Sequence, residues 1–434
     1  MMRFISKFIP VLIVIALLGS VSLKTARSAD PITLHVITQS QAAMSNDEMD
    51  AVAKEFMAAN PNVKIEMEYV SYDALHDKIT TAMGTTPPAY DVIMVDTIWY
   101  PEFVKAGYLS DETSKITSDM RDKAFKTAWN VVTVGDKVYG MPWLLDTKYL
   151  YYNKDILKQA GFDNPPKTWE ELATQAKAIK DKGLVEYPID WSWGQYEASI
   201  CDFTVLVAGN GGKTVDDTGK PTFNDAKGVA ALDWMVKSID SGLSNPASVT
   251  SVEEDVRNVF SSGKAAFALN WLYMFDLANF DKTQSQVTGN VGITLMPVFE
   301  GAAKDGLKSA SVDGSSGFSV VATSPNQDTA WAYVQYLTSE PTQMKYSAHQ
   351  LPVWIDAYQG DNLKKLEANG QSQPTTVPMF SEQFPFAVGR SRIPNYIESS
   401  KALQLALQQA LTKQKTPKEA LDEAADAWTK LAGK

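Results

Sequence analysis

MPWLLDTKYLYYNKD, residues 141–155, puts four aromatic residues and two aspartates into fifteen positions, straight after the turn-like GDKVYG (135–140). Such a run reads as core strand, catalytic strand end or binding wall, and its flanks decide the fold around it. Upstream, PITLHVIT (31–38) is rich in Ile, Val and Thr and predicts a strand. In SNDEMDAVAKEFMAANP (45–61), Met49, Val52, Ala53 and Phe56 recur at helical spacing, and Asn60-Pro61 ends the helix. VKIEMEYV (63–70) alternates as a half-buried strand does, and DALHDKITTAM (73–83) is helical. TTPPA (85–89) breaks the chain before the buried strand YDVIMVD (90–96), and PEFVKAGYL (101–109) is helical again. That β-α-β-α-β order implies a parallel or mixed sheet flanked by helices.

Downstream, a second unit begins near Tyr149. PKTWEELATQAKAIKDKG (166–183) carries a capping pair, Thr168 with Glu171, and a glycine stop. Val229, Leu232, Met235, Val236 and Ile239 form the stripe of a helix over 223–243. Residues 252–271 read helix, glycine turn, strand; VGITLMP (291–297) and GFSVVAT (317–323) are strands, and NQDTAWAYVQYLT (326–338) is helical. The C-terminus is two helices, IESSKALQLALQQALTK (397–413) and TPKEALDEAADAWTKLA (416–432). The class is α/β throughout, with no Gly/Ser/Pro-rich linker. Ligands of open α/β sheets sit beyond the carboxyl ends of the strands, so two such units facing each other enclose a cleft.

The 434 residues are 44% hydrophobic and 21% charged, the composition of a globular chain with a large core. The first 29 differ: basic MMRFISK, apolar FIPVLIVIALLG and small-residue TARSA read as a signal peptide, cut after Ser28 or Ala29. The leader holds Arg3, Lys7, Lys24 and Arg27 and no acid, so its loss takes the formal charge from −11 to −15. A chain that acidic, without clustered Lys and Arg, is no nucleic-acid binder. Cys201 is the sole cysteine, so no internal disulfide forms, and none follows the apolar stretch to carry a lipid anchor. The expectation is a free monomer in a bacterial periplasm.

Catalytic and cofactor signals are sparse. VAGNGGKT (207–214) falls one glycine short of a P-loop, with Val207 where that glycine belongs, and reads as a surface turn. His35, His76 and His349 lie in different elements without metal-ligand spacing, and no G-x-S-x-G occurs. No metal or cofactor is expected. Asp96 and Asp146, each just past an apolar stretch, are the carboxylate pair a secreted glycoside hydrolase would use. Tryptophan carries the stronger signal. Of eleven, Trp169, Trp234, Trp331 and Trp428 fall within or at the start of helices and are assigned to the core. Trp99 and Trp143 follow strand-like segments, Trp191 and Trp193 lie in IDWSWGQYE and Trp271 follows AAFALN; outside helical stripes, indole rings are free to stack on the apolar faces of sugars.

The segments FMAANPNVKIEMEYV, PAYDVIMVDTIWYPEFVKAGYLSD, VYGMPWLLDTKYLYYNKDIL, NPPKTWEELATQAKAIKDKG, FSSGKAAFALNW and ATSPNQDTAWAYVQYLTSE occur in this order along the chain. In them the chain resembles the extracellular solute-binding proteins of bacterial ABC transporters, in the sugar-binding branch that includes maltose-binding proteins. The resemblance implies a two-lobe periplasmic binding protein fold, with a ligand cleft between lobes joined by hinge crossings. It implies an N-terminal lobe of 30–142 plus 294–338 and a C-terminal lobe of 143–293 plus 339–434. The implied ligand residues are Asp146 with Trp143 beside it, Asp96 and Trp99 after their strand, and Gln39, Ser40 and Gln41 in the loop after the first strand. Trp271 or Tyr273 supplies a stacking ring, DGSSGF places Gly314 on the ligand side, and GRSRIPNY presents Arg392. The implied function is capture of a mono- or oligosaccharide, without chemistry, for an inner-membrane ABC permease. A polyol, an anionic sugar derivative such as a glycerol-phosphate ester, and a polyamine are the other ligand classes considered.

Overall fold

The computed structural model describes residues 31–41, 43–347, 350–368 and 373–432; the expected leader and His349 lie outside them. The first sheet has five strands in the order Val63–Val70, Ile32–Gln39, Val92–Asp96, Ser316–Val320, Met141–Leu144. The first three run parallel, and Ser316–Val320 is antiparallel to both its neighbours. The second sheet orders Val291–Thr294, Tyr149–Asn153, Phe267–Asn270, Ile189–Asp190. Each sheet carries its own helices, which makes two α/β lobes.

Local chemistry accounts for the elements. The helix Asn46–Ala59 starts on a reciprocal cap: the Glu48 N–H donates to Ser45 Oγ (3.2 Å), and the Ser45 N–H donates to the Glu48 carboxylate (2.7 Å). It buries Met49, Val52, Ala53 and Phe56, the stripe the spacing predicts. In the helix Ala226–Asp240 the buried face is instead Gly228, Ala231, Leu232, Met235 and Ser238. Val229, Val236 and Ile239 are only half-buried, and Gly228 lies against the Phe223 backbone of the preceding turn, where a Cβ would not fit. The helix Glu197–Gly209, absent from the sequence reading, is buried on every side, its Glu197 and Asp202 carboxylates paired with Arg390 and Lys148. Its end and the turn after it contain the P-loop-like stretch.

The opening stretch divides between the lobes. Met141–Leu144 is the edge strand of the first sheet, Leu145–Lys148 crosses, and Tyr149–Asn153 is an interior strand of the second. Strand pairing moves the expected lobe boundaries. Leu144 still pairs with Ser316 in the first sheet, so the first crossing falls two residues after 142. Val291–Thr294 pairs in the second sheet, and Val298 then bridges Thr168 there, so the return crossing is at 313–315 and not at 294. The segment after 338 stays on the first lobe. Lys345 and Tyr346 meet Glu55, and the Phe125 N–H donates to the Val353 carbonyl at 3.1 Å. The chain reaches the second lobe again only by Gln383, whose Oε1 accepts the Met296 N–H at 2.7 Å.

Candidate ligand-binding site

A cavity of about 770 Å³ lies between the strand ends of the two sheets. The first lobe lines it with Gln39, Ser40 and Gln41, with Tyr69–Asp73 after the second strand, and with Asp96, the last residue of its strand. The second lobe contributes Tyr196 and Glu197, Glu253 and Glu254, and Trp271 and Tyr273. Asp146, Gly314 and Arg390 come from the chain segments that link the lobes. Walls from two bodies around one cavity are the geometry of closure on a ligand.

Trp271 directly follows the strand Phe267–Asn270, and its half-buried ring is locked from two directions. Its indole N–H donates to Glu253 Oε1 (3.2 Å), and Lys148 Nζ lies 5.2 Å from the ring centroid. Gly314 makes the packing possible: a Cβ there would lie 2.4 Å from the indole. The Gly314 N–H in turn donates to the Asp146 carbonyl at 3.0 Å, which joins two linking segments under the ring. Tyr273 stands at the rim, its hydroxyl donating to Glu254 at 2.7 Å.

Arg390 ties the lobes together at the cavity floor. Its Nη2 donates to both Asp96 oxygens, at 2.8 and 3.1 Å, and its Nη1 to Glu197 at 3.1 Å. Tyr72 donates to Asp96 at 2.7 Å, and Tyr396 and Ser400 donate to Glu197. Burial opposes the Arg390 charge, but Asp96 and the other acids around it outweigh burial and hold the guanidinium fully protonated. Burial pushes the Glu197 carboxyl up against the pull of Arg390. Asp146, only 7% exposed, is pushed up to about 7 by burial, offset in part by the Thr147 and Leu272 N–H groups. Lys148 is buried and ion-paired to Asp202 at 2.6 Å.

Of the thirteen residues expected at the site, Gln39, Ser40, Gln41, Asp96, Asp146, Trp271, Tyr273 and Gly314 meet at this cavity. Trp99, Trp143, Trp191, Trp193 and Arg392 do not. Trp99 packs on Tyr72, His76 and Phe103 behind the wall. Trp143 stands edge-on to Phe318 inside the first lobe, while its carbonyl accepts from Gln343 and Gln350. Trp191 and Trp193 stack on each other with Trp169 and Trp234 alongside. Burial of large apolar rings beyond the reach of a ligand took all four. Arg392 points the other way, donating to the carbonyls of Asn130 (2.6 Å), Val131 (3.1 Å) and Thr133 (2.9 Å) at a helix end. The arginine in the cavity lies two residues earlier. Tyr72, Tyr196, Glu197, Glu253 and Glu254 were also missed. Glu197 opens the buried helix Glu197–Gly209, which the sequence reading did not contain. Among the described residues no His/Cys/Asp/Glu group is arranged to hold a metal, and no helix is long and apolar enough to cross a membrane.

With this geometry in place, sequence comparison identifies the class. The profile of the bacterial extracellular solute-binding proteins matches residues 43–344, and the chain belongs to that family. A Deinococcus radiodurans protein described as a "probable ABC transporter-binding protein" is 32% identical over 78% of this chain and 79% of its own. The mannitol-binding protein of Pseudomonas aeruginosa is 24% identical over 73% and 70% of the two chains. Among solved structures, maltose-bound T. maritima MalE3 superposes with a TM-score of 0.82 at 28% identity, over 92% of this chain and all of the other. A solute-binding protein of Thermotoga lettingae bound to α-D-tagatose gives 0.80 at 26%, over 93% and 100%.

Proposed function

We propose that the protein captures a carbohydrate in the interlobe cavity, closes on it and passes it unchanged to an inner-membrane ABC permease. The observation that carries this reading is the cavity itself. It pairs the half-buried ring of Trp271 with carboxylate and amide groups from both lobes, the combination that grips a ring with apolar faces and a hydroxyl rim. Similarity to a maltose-bound and a tagatose-bound protein supports the ligand class, and similarity to a mannitol-binding protein keeps polyols within it. Contacts from Gln39, Ser40, Gln41, Asp96, Asp146, Trp271, Tyr273 and Arg390 would form only when the lobes close, so binding shifts an open–closed equilibrium. Export through a cleaved leader to the periplasm, and action as a monomer, belong to the same proposal.

Two alternatives lose support. A hydrolase using Asp96 and Asp146 needs a free carboxylate at Asp96, which Arg390 and Tyr72 already hold. An anionic sugar derivative needs a free cation, but Arg392 is outside the cavity and Arg390 is shared between two acids. A thermal-shift panel of mono- to trisaccharides, polyols and phosphorylated sugars, with mass spectrometry of the recovered compounds, tests the reading. A neutral sugar or polyol should raise the melting temperature and be recovered intact. Product formation, or no response to any of them, would overturn it.

A further inference from the structure

Among the described residues the cleft walls carry the carboxylates of Asp73, Asp96, Asp146, Glu197, Glu253 and Glu254 against a single cation, beside the amides of Gln39, Gln41 and Gln195. Arg390, the cationic side chain on the walls, is committed at both ends to Asp96 and Glu197. Lys148, behind Trp271, is likewise shared, 2.6 Å from Asp202 and 3.9 Å from Glu253. At the rim Glu254 takes Arg257 at 2.8 Å. Asp146 is different. Its carboxylate accepts main-chain N–H groups, of Thr147 at 2.8 Å and of Leu272, and Lys148 acts on it only through space, without a direct ion pair among the described residues. Gly314, hydrogen-bonded to the Asp146 carbonyl and packed against the indole, puts that acid's segment next to Trp271.

We propose that the cleft selects a saccharide bearing a protonated amine, an amino sugar, with its ammonium group on Asp146 and a ring face against Trp271. This rests on the sugar-capture reading and narrows it. An ammonium supplies three donors and no acceptor, the complement of an acceptor-rich wall. A hydrogen bond with charge on both partners is roughly twice as strong as a neutral one, and closure removes the water that would screen it. A phosphate or carboxylate would bring negative charge to a wall where each cation is already matched or outnumbered. Burial, with the nearby Asp313 carboxylate, pushes the Asp146 carboxyl up to about 7, and a bound ammonium would restore its anionic form.

Calorimetric titration of the mature protein with matched sets tests this: glucose, glucosamine and N-acetylglucosamine; the three galactose counterparts; and cellobiose beside the glucosamine disaccharide. Within at least one set the amine should bind about tenfold tighter or more than both its neutral parent and the N-acetyl form. That ratio should collapse toward unity in Asp146→Asn. Glu254→Gln, at the exposed rim, should reduce it less and guards against a misfolded first variant. Equal or weaker binding of the amines, or a ratio unchanged in Asp146→Asn, overturns the proposal while sugar capture stands. Binding by no member of any set overturns the amino-sugar proposal, while sugar capture is decided by the wider panel of saccharides and polyols.

Discussion

Trp271 and the group Trp169, Trp191, Trp193 and Trp234 all belong to the second lobe, yet different forces place them. In the group the rings meet each other: Trp191 and Trp193 stack at 4.7 Å, and Trp191 donates its indole N–H to Ser244 at 2.8 Å. Both rings are fully buried within the fold, and among the described residues the Trp191 N–H has a partner there while the Trp193 N–H has none. Trp271 instead gives its N–H to Glu253 on the cavity wall, rests against Gly314 and Lys148, and keeps part of its surface exposed. The bare backbone of Gly314 leaves room for the Trp271 ring at the cavity wall, which is what fits it to the stacking role proposed for it.

That contrast can be broken most forcefully from the core side. Trp191→Ala should cost about 3–5 kcal/mol of stability in urea unfolding and leave the ligand affinity of the folded protein unchanged; affinity lost with stability intact would reverse the assignment. Asp146, a cavity residue held at a cost to the fold, comes next. Its folded pKa of about 7 lies above its unfolded value, so the native state holds the proton more tightly and stability falls as pH rises from about 4 to 7. Asp146→Asn should be more stable than wild type above pH ~7, by on the order of a few kcal/mol, with the gap closing toward pH ~4 in melting curves. Arg392→Ala removes three hydrogen bonds to backbone carbonyls and should cost about 1–2 kcal/mol of stability without changing affinity. The smallest stability effect, under about 1 kcal/mol, is expected for Trp271→Ala, because its ring is only half-buried.

The sequence made the alternation of elements, both lobes and the capped helices legible, because hydrophobic period and capping residues act locally. The helix Asn46–Ala59 shows the same stripe in both readings. Eight residues that line the cavity were likewise legible: Asp96, Asp146 and Trp271 from their places after apolar or strand-like segments, and Gln39, Ser40, Gln41, Tyr273 and Gly314 through the family resemblance. Three kinds of feature were not. Whether a strand-following indole faces a cavity or a neighbouring ring depends on tertiary packing, which misplaced Trp99, Trp143, Trp191 and Trp193. Direction along an irregular segment is not periodic, so GRSRIPNY could not distinguish Arg390 from Arg392. The lobe boundary at 294 failed because Val291–Thr294 looks the same whichever sheet it joins, and register alone assigns it.

The most direct test is calorimetric titration of wild type and Trp271→Ala with the tightest ligand from the sugar panel. The variant should bind about 1–3 kcal/mol more weakly, roughly 5- to 150-fold, with a melting temperature close to wild type. Equal affinity in the two proteins would mean that the ligand is held somewhere other than the cavity between the lobes.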